Sequence, residues 1–242
     1  MSKITIIIPA YNEEKRIGPT LDAYVSFYRE YPEEIDFLVV MNGCQDKTLD
    51  VVKSRSERYL GAIDWIFIPE RLGKGGGLRE GFKKAKGDLI GFADADNSVP
   101  PQEFNKLIKV LLNNPEVDGA ISSRLKKGSQ VIGESWFRKN IVSKVFAFLV
   151  RLVCGLPYRD TQCGGKILRK ELVWKLLANW HITNMAFDVE LLWNAKKIGA
   201  KIEEIPIVWT EKGESATLGS FWGFINQSLR MVWSLLKIRF GS

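Results

Sequence analysis

Apolar runs and amphipathic stretches alternate along the first half of the chain. The runs Ile4 to Ile8, Phe37 to Met41, Ile63 to Ile68, Leu89 to Ala93 and Gly119 to Ser123 predict strands. Helices are predicted over about Lys15 to Arg29, Asp46 to Arg58, Gly76 to Ala85 and Pro101 to Leu112. Strand following helix with short connections implies an α/β fold built on a mainly parallel, doubly wound sheet with helices on both faces. Ligands in such sheets bind beyond the carboxyl ends of the strands. Four stretches occupy those places: Pro9 to Glu13, Asn42 to Asp46, Glu70 to Gly77 and Asp94 to Ser98. All are polar or glycine-rich, as a shared crevice requires.

After Arg124 the segments become longer and amphipathic. From Ile141 to Val153, Lys144, Ala147 and Arg151 form one narrow stripe, and Val145, Phe146, Phe148, Leu149, Val150 and Leu152 cover the rest. From Phe221 to Phe240, Asn226, Arg230, Ser234 and Lys237 form a polar stripe opposite Trp222, Ile225, Leu229, Val232, Trp233 and Leu236. Faces this wide suit either packing on the core or lying in a membrane interface, where tryptophans and basic residues are expected. Both surfaces could also serve a homodimer.

Composition narrows the chemistry. A chain of 242 residues, 45% hydrophobic and 26% charged, is long enough for one sizeable globular domain. Cys44, Cys154 and Cys163 are odd in number and widely spaced, which suggests neither a disulfide framework nor a zinc site and points to a cytosolic compartment. The single histidine, His181, disfavours a multi-histidine metal cluster or a histidine base. The first apolar run is too short for a secretory signal and is read as a strand. No uninterrupted apolar stretch reaches the length of a membrane span, so any membrane contact is expected to be peripheral. The net charge of +7 is uneven: residues 1 to 123 carry 16 Lys/Arg against 19 Asp/Glu, whereas 124 to 170 carry 11 against two. That basic block is a solvated face or a partner for phosphates and anionic headgroups. It contains no recognised nucleic-acid motif, and Asp94 and Asp96 would repel a phosphate backbone without metal, so a basic module binding nucleic acid or membrane is the weaker reading.

Three segments can carry chemistry. Asp94 and Asp96 follow a predicted strand, where two hard oxygen ligands can hold Mg²⁺ or Mn²⁺ against a diphosphate. Gly73 to Gly77, with Lys74 inside it, offers backbone N–H groups and an ammonium at a helix start, an expected anion site. It is not a Walker A loop, because no Ser or Thr follows the lysine, nor a dinucleotide fingerprint, because Leu78 replaces the third glycine. Pro9 to Glu13 leaves the first strand with side chains able to grip a base or ribose, or simply to cap a helix.

In order, I-P-A-Y-N-E, N-G-C-Q-D-K-T, R-L-G-K-G-G and A-D-A-D resemble the signature of glycosyltransferase family 2. The later D-T-Q-C-G-G-K (Asp160 to Lys166), A-F-D-V-E-L-L (Ala186 to Leu192) and W-T-E-K-G-E-S (Trp209 to Ser215) resemble dolichyl-phosphate hexose synthases, and their wording is closer to the β-glucosyltransferases than to the mannose enzymes. The resemblance implies a Rossmann-like fold of glycosyltransferase A type with C-terminal amphipathic helices. It divides a single domain, 1–242, into a nucleotide-sugar-binding half (1–123), an acceptor-binding half (124–216) and an amphipathic helix (217–240). It implies that Pro9, Tyr11 and Glu13 line the nucleotide pocket, with Asn42, Lys74 and Gln162 nearby. Asp94 and Asp96 would meet ribose, diphosphate and metal. Arg124 and Arg138 would approach the acceptor phosphate, joined by Lys212 and Ser215. Asn42 stands where the family commonly has aspartate, and Ser98 where the mannose enzymes have glutamine, so uracil and guanine both stay open.

The expected activity is inverting transfer of a hexose, from UDP-glucose or alternatively GDP-mannose, to dolichyl or polyprenyl phosphate on the cytoplasmic side of a membrane. A lipid phosphate has a second pKa of about 6 and needs no strong base near neutrality. Catalysis then rests on Asp96, Arg124, Arg138, Asp188, Lys212 and the metal, by positioning and electrostatics. Asp188 and Glu190 lie two apart on a predicted helix from Ala186 to Lys197 and do not share a face; resemblance points to Asp188 as the one facing the pocket. A hydroxyl acceptor would instead need Asp188 or another carboxylate as a true base. Cys163 has no base partner in the sequence and reads as structural.

Overall fold

Ile4, Ile6, Ile7 and Ile8 have no solvent contact because β1 (Lys3–Ala10) runs through the middle of a sheet covered on both faces. The computed structural model describes residues 2–133, 136–212 and 221–241, and the side chains among them outside 134–143 and 221–229. The predicted alternation is present throughout the first half: α1 (Ile17–Tyr28), β2 (Glu34–Asn42), α2 (Thr48–Arg58), β3 (Ile63–Ile68), α3 (Gly73–Lys84), β4 (Leu89–Phe92), α4 (Pro101–Asn113) and β5 (Gly119–Ser123). Proline at the first position of α4 removes an N–H that has no helical partner and presets φ.

The second half adds β6 (Gln130–Ile132), α5 (Trp136–Cys154), β7 (Lys166–Arg169), α6 (Lys170–Leu177), α7 (Phe187–Lys197), β8 (Ile202–Pro206), β9 (Val208–Thr210) and α8 (Phe221–Phe240). The seven-stranded sheet has the order β3-β2-β1-β4-β7-β5-β8, and β6 and β9 form a small parallel pair beside it. β1 to β4 are mutually parallel, as are β5 and β8. β7 alone is antiparallel, wedged between β4 and β5. Strand order reverses between β1 and β4, which opens a crevice at their carboxyl ends.

The reversed direction of β7 decides where the site forms. The segment Asp160 to Gly165 enters β7 from the same edge at which β4 and β5 finish, so it lies beside Asp94 and Arg124.

The two amphipathic helices pack on one another and on the core through a few residues. Val150 and Cys154 of α5 and Leu235 and Ile238 of α8 are buried, whereas Phe148, Leu152, Trp233 and Phe240 are exposed. The predicted polar stripe of α8 is not its solvent side at Ser234, which is buried and accepts a hydrogen bond from Asn184 Nδ2 at 3.0 Å. Val232, Trp233 and Leu236, read as the opposite apolar face, point outward. Among the described residues no helix is long and apolar enough to cross a membrane.

Part of the basic block turns inward, while Lys126, Lys127, Lys144, Arg151 and Arg159 stay exposed. Arg124, half-buried, grips Asp160, Lys166 is buried against Asp188, and Arg169 donates to the backbone carbonyls of Val117, Leu111 and Asn114. These three cations tie separate segments of the chain together.

Candidate active site

A cavity of about 680 Å³ lies at the switch point between β1 and β4, a size suited to a small-molecule ligand. Its wall includes Pro9, Tyr11, Glu13, Asn42, Lys74, Asp94 and Asp96, all singled out from the sequence. Four separate loops supply them because each follows a parallel strand.

The loops are tied to one another. Glu13 N–H donates to Thr48 Oγ1 at 2.8 Å, Glu14 N–H to Asp46 Oδ2 at 3.1 Å, and Gln45 N–H to Asn12 Oδ1 at 2.8 Å. Asn12 and Asn97 both have positive φ, 54° and 56°, a conformation asparagine tolerates better than most residues. Much of the N-G-C-Q-D-K-T segment therefore braces the first loop. Asn42 is nearly buried, and its Oδ1 accepts the Leu72 N–H at 3.0 Å, so the Nδ2 donor is the part left for a ligand.

Carboxylates gather on one side. Burial, and then Asp94, raise the Asp96 carboxyl above its ordinary range. Burial likewise raises Glu13, against the bidentate pull of Arg16 at 2.6 and 2.7 Å. Lys74 Nζ meets Asp94 Oδ1 at 2.6 Å. Burial alone would depress that ammonium, but Asp94 and then Asp188 outweigh it and hold its pKa above the usual lysine value. Acids raised by burial, and further by one another, fit a divalent cation. Among the described residues no group of three or more His, Cys, Asp or Glu forms a closed metal cage. The pair Asp94 and Asp96 therefore fits an ion that draws its remaining ligands from a bound diphosphate and water.

The glycine-rich run is in part a packing seat. The N–H groups of Gly75 and Gly76 are taken by the carbonyl of Thr183, at 2.8 and 3.2 Å, while Gly73 and Lys74 line the cavity. A Cβ on Gly75 would stand 2.6 Å from both Ile182 O and Phe187 Cβ. The glycines allow the segment 182–184 to lie against the start of α3, which is why α3 begins at Gly73 rather than Gly76.

That segment brings Thr183, Asn184 and Met185 into the cavity wall, and α8 brings Arg230 and Met231. Arg16 and Arg71 also line it, the latter 4.2 Å above the Tyr11 ring. None of these seven was singled out for the site from the sequence. Arg71 carried a usable signal, since R-L-G-K-G-G begins with it. The others carry none, because their approach depends on long-range packing. Gly164, inside the D-T-Q-C-G-G-K motif, packs against Asp94: a Cβ there would overlap the Asp94 carboxylate.

Other expected residues lie outside the cavity wall. Asp188 is buried one layer beneath, 2.6 Å from Lys166 Nζ, and burial raises its carboxyl despite Lys166 and Lys74. Glu190 accepts the N–H groups of His181 and Ile182 at 3.0 and 2.8 Å. Neither carboxylate reaches the cavity. Arg124 is held by Asp160 through two bonds, 2.7 and 3.0 Å, and lies 5.7 Å from the Trp209 ring centre. Burial would raise Asp160, but Arg124 prevails and keeps it below the ordinary carboxylate range. Gln162 donates its backbone N–H to Asp160 Oδ1 at 3.1 Å, and its side-chain nitrogen is buried without a partner. Ser98 is buried and its N–H donates to Asp96 Oδ1 at 2.9 Å. Lys212 is exposed. The side chain of Arg138 and all of Ser215 lie outside the described residues.

The model of glycosyl transferase family 2 matches residues 5–177, which contain the first three cavity loops and both aspartates. The chain belongs to glycosyl transferase family 2. Among curated members of this family, it is 33% identical to a dolichyl-phosphate beta-glucosyltransferase of Drosophila melanogaster, over 96% of this chain and 74% of the relative. It is 29% identical to the enzyme of that name from Homo sapiens, over 99% of this chain and 77% of the relative. The fold is similar to that of glucosyl-3-phosphoglycerate synthase from Mycobacterium tuberculosis, solved with Mn²⁺, UDP and glucosyl-3-phosphoglycerate, with a TM-score of 0.74 at 18% identity over 98% of this chain and 80% of that one. This agrees with the Rossmann-like glycosyltransferase A architecture expected from the sequence.

Proposed function

We propose that the protein transfers glucose from UDP-glucose to the phosphate of dolichol or another polyprenol, with inversion at the anomeric carbon. The observation that carries this reading is the gathering, around one switch-point cavity, of Pro9, Tyr11, Glu13, Asn42, Lys74, Asp94 and Asp96 from four separate motifs, in a chain 33% identical to an enzyme of that name. Pro9, Tyr11, Glu13 and Asn42 would hold the nucleoside, and Lys74, Asp94 and Asp96 the diphosphate side. Gln162 would stand near the sugar. Arg124, Arg138, Lys212 and Ser215 would serve the acceptor phosphate. On this division residues 1–123 bind the donor, 124–216 bind the acceptor, and 217–240 meet the membrane surface from the cytoplasmic side.

Mg²⁺ or Mn²⁺ on Asp94 and Asp96 would neutralise charge on the departing diphosphate. The acceptor, largely a dianion near neutrality, needs no proton removed. One of its oxygens forms the bond to the anomeric carbon as the bond to the UDP oxygen breaks, and UDP leaves with the electron pair. Lys74, which meets Asp94 at 2.6 Å, would add its positive charge on the diphosphate side. Asp188 acts through Lys74 as a positioning charge; buried beneath the cavity wall, it does not reach an acceptor as a base, which disfavours a hydroxyl acceptor.

The test is to incubate the protein with dolichyl phosphate, Mg²⁺ and labelled UDP-glucose or GDP-mannose in parallel, with Asp96→Ala as the blank. Label entering lipid from UDP-glucose alone is the expected result. Label from GDP-mannose alone would move the protein to the mannose branch, and no labelled lipid from either would overturn the acceptor assignment.

A further inference from the structure

Four cations line the cavity among the described residues: Arg16, Arg71, Lys74 and Arg230. Three are already engaged. Arg16 grips Glu13, Lys74 meets Asp94, and Arg71 lies over Tyr11. Arg230 has no acidic or aromatic partner among the described residues, yet its place is fixed. Its backbone carbonyl accepts the Ser234 hydroxyl at 2.8 Å, and Ser234 in turn accepts from Asn184 of the cavity wall at 3.0 Å. A guanidinium in the cavity wall with no acidic or aromatic partner among the described residues is a binding group for an anion.

The surroundings say what kind of anion. On a helix, positions 230, 233, 237 and 240 fall along one side. Arg230 therefore begins a file that continues with Trp233, 60% exposed, Lys237, and Phe240, 74% exposed. Phe148 and Leu152 expose apolar surface on the adjoining α5. A ligand that matches has a phosphate head inside the cavity and a hydrocarbon tail running out over α8. A nucleotide sugar has no such tail.

We propose that Arg230 contacts the phosphate of the lipid acceptor and that the exposed face of α8 receives the beginning of its hydrocarbon chain. This rests on the acceptor being a polyprenyl phosphate. It assigns α8 a direct part in acceptor binding, beyond contact with a membrane surface, and it makes the strap 182–184 the link between that helix and the donor pocket.

The experiment compares the full chain with its Arg230→Ala and Arg230→Lys variants, using dolichyl phosphate in micelles of a neutral detergent. Kinetics give KM and kcat for the acceptor, and calorimetry gives the Kd for UDP-glucose with Mg²⁺. For Arg230→Ala we expect the acceptor KM to rise about tenfold or more while the UDP-glucose Kd stays within about twofold, as for loss of one charge-assisted contact. Arg230→Lys should recover much of the loss, which a purely structural role would not produce. A weakened UDP-glucose Kd with an unchanged acceptor KM would assign Arg230 to the donor and overturn the proposal. So would an effect seen only on vesicles containing anionic lipid, which would make it a bilayer contact, or unchanged kinetics throughout. If the unsubstituted protein transfers sugar to no polyprenyl phosphate, the functional reading fails first and this inference falls with it. If it transfers normally and the variants match it, this inference alone fails.

Discussion

Lys166 and Asp188 meet at 2.6 Å with each side chain 1% exposed, one on the first residue of β7 and the other in the first turn of α7. Removing one partner of such a pair leaves an uncompensated buried charge. Lys166→Met should cost about 3–5 kcal/mol in urea unfolding near pH 8. Asp188 already has a raised carboxyl pKa, so in the variant it gives up its charge more readily, and the deficit should shrink as the pH falls and the carboxyl protonates. The double variant Lys166→Met, Asp188→Leu should recover most of the loss, because two apolar groups can replace a buried pair. Equal deficits at pH 5 and pH 8 would contradict this account.

Gly75 is predicted to be intolerant for a reason unconnected with phosphate. An added Cβ would meet a backbone carbonyl and the Cβ of Phe187, neither of which can swing aside. Gly75→Ala should destabilise by about 1–3 kcal/mol through overpacking. It should also weaken nucleotide-sugar binding, because the displaced strap carries Thr183, Asn184 and Met185 in the cavity wall. Denaturant melts paired with calorimetry would read both effects. Unaltered stability with lost binding would instead restore the glycine run as a ligand cradle.

The three cysteines are free, and two of them are buried. Burial, and then Asp160, push the Cys163 thiol up to about 11. At pH 8 its thiolate fraction is then about one in a thousand, and the thiolate is the reactive form. Cys44, half-buried beside the cavity, should be the thiol that iodoacetamide modifies in the native protein. Peptide mapping after brief labelling should find Cys44 carrying the label and Cys163 unmodified until denaturant is added. Saturating UDP-glucose should slow labelling of Cys44, and labelling of Cys163 at the native-state rate of Cys44 would refute the assignment.

The nine strands and helices from Lys3 to Ser123 were legible because each is set by local pattern: a short apolar run or a 3.6-residue period. Their alternation fixed the parallel sheet, and the sheet fixed which loops form the crevice, so Pro9, Tyr11, Glu13, Asn42, Lys74, Asp94 and Asp96 could be found without coordinates. The ordered motifs carried the family.

What the tertiary structure alone decided involves partners far apart in the chain. Four-residue β7 has no periodicity long enough to reveal that it inserts antiparallel between β4 and β5, yet that reversal places Asp160 against Arg124 and Gly164 against Asp94. The glycine run reads from the sequence as an anion site, and only the fold shows that the Gly75 and Gly76 N–H groups also seat the Thr183 carbonyl. Likewise the hydrophobic period predicts α8 but not which stripe faces inward. Asn184 draws Ser234 in and leaves Trp233 outside, because satisfying a buried hydrogen bond and meeting a neighbouring wall are properties of the assembled fold and not of the helix itself.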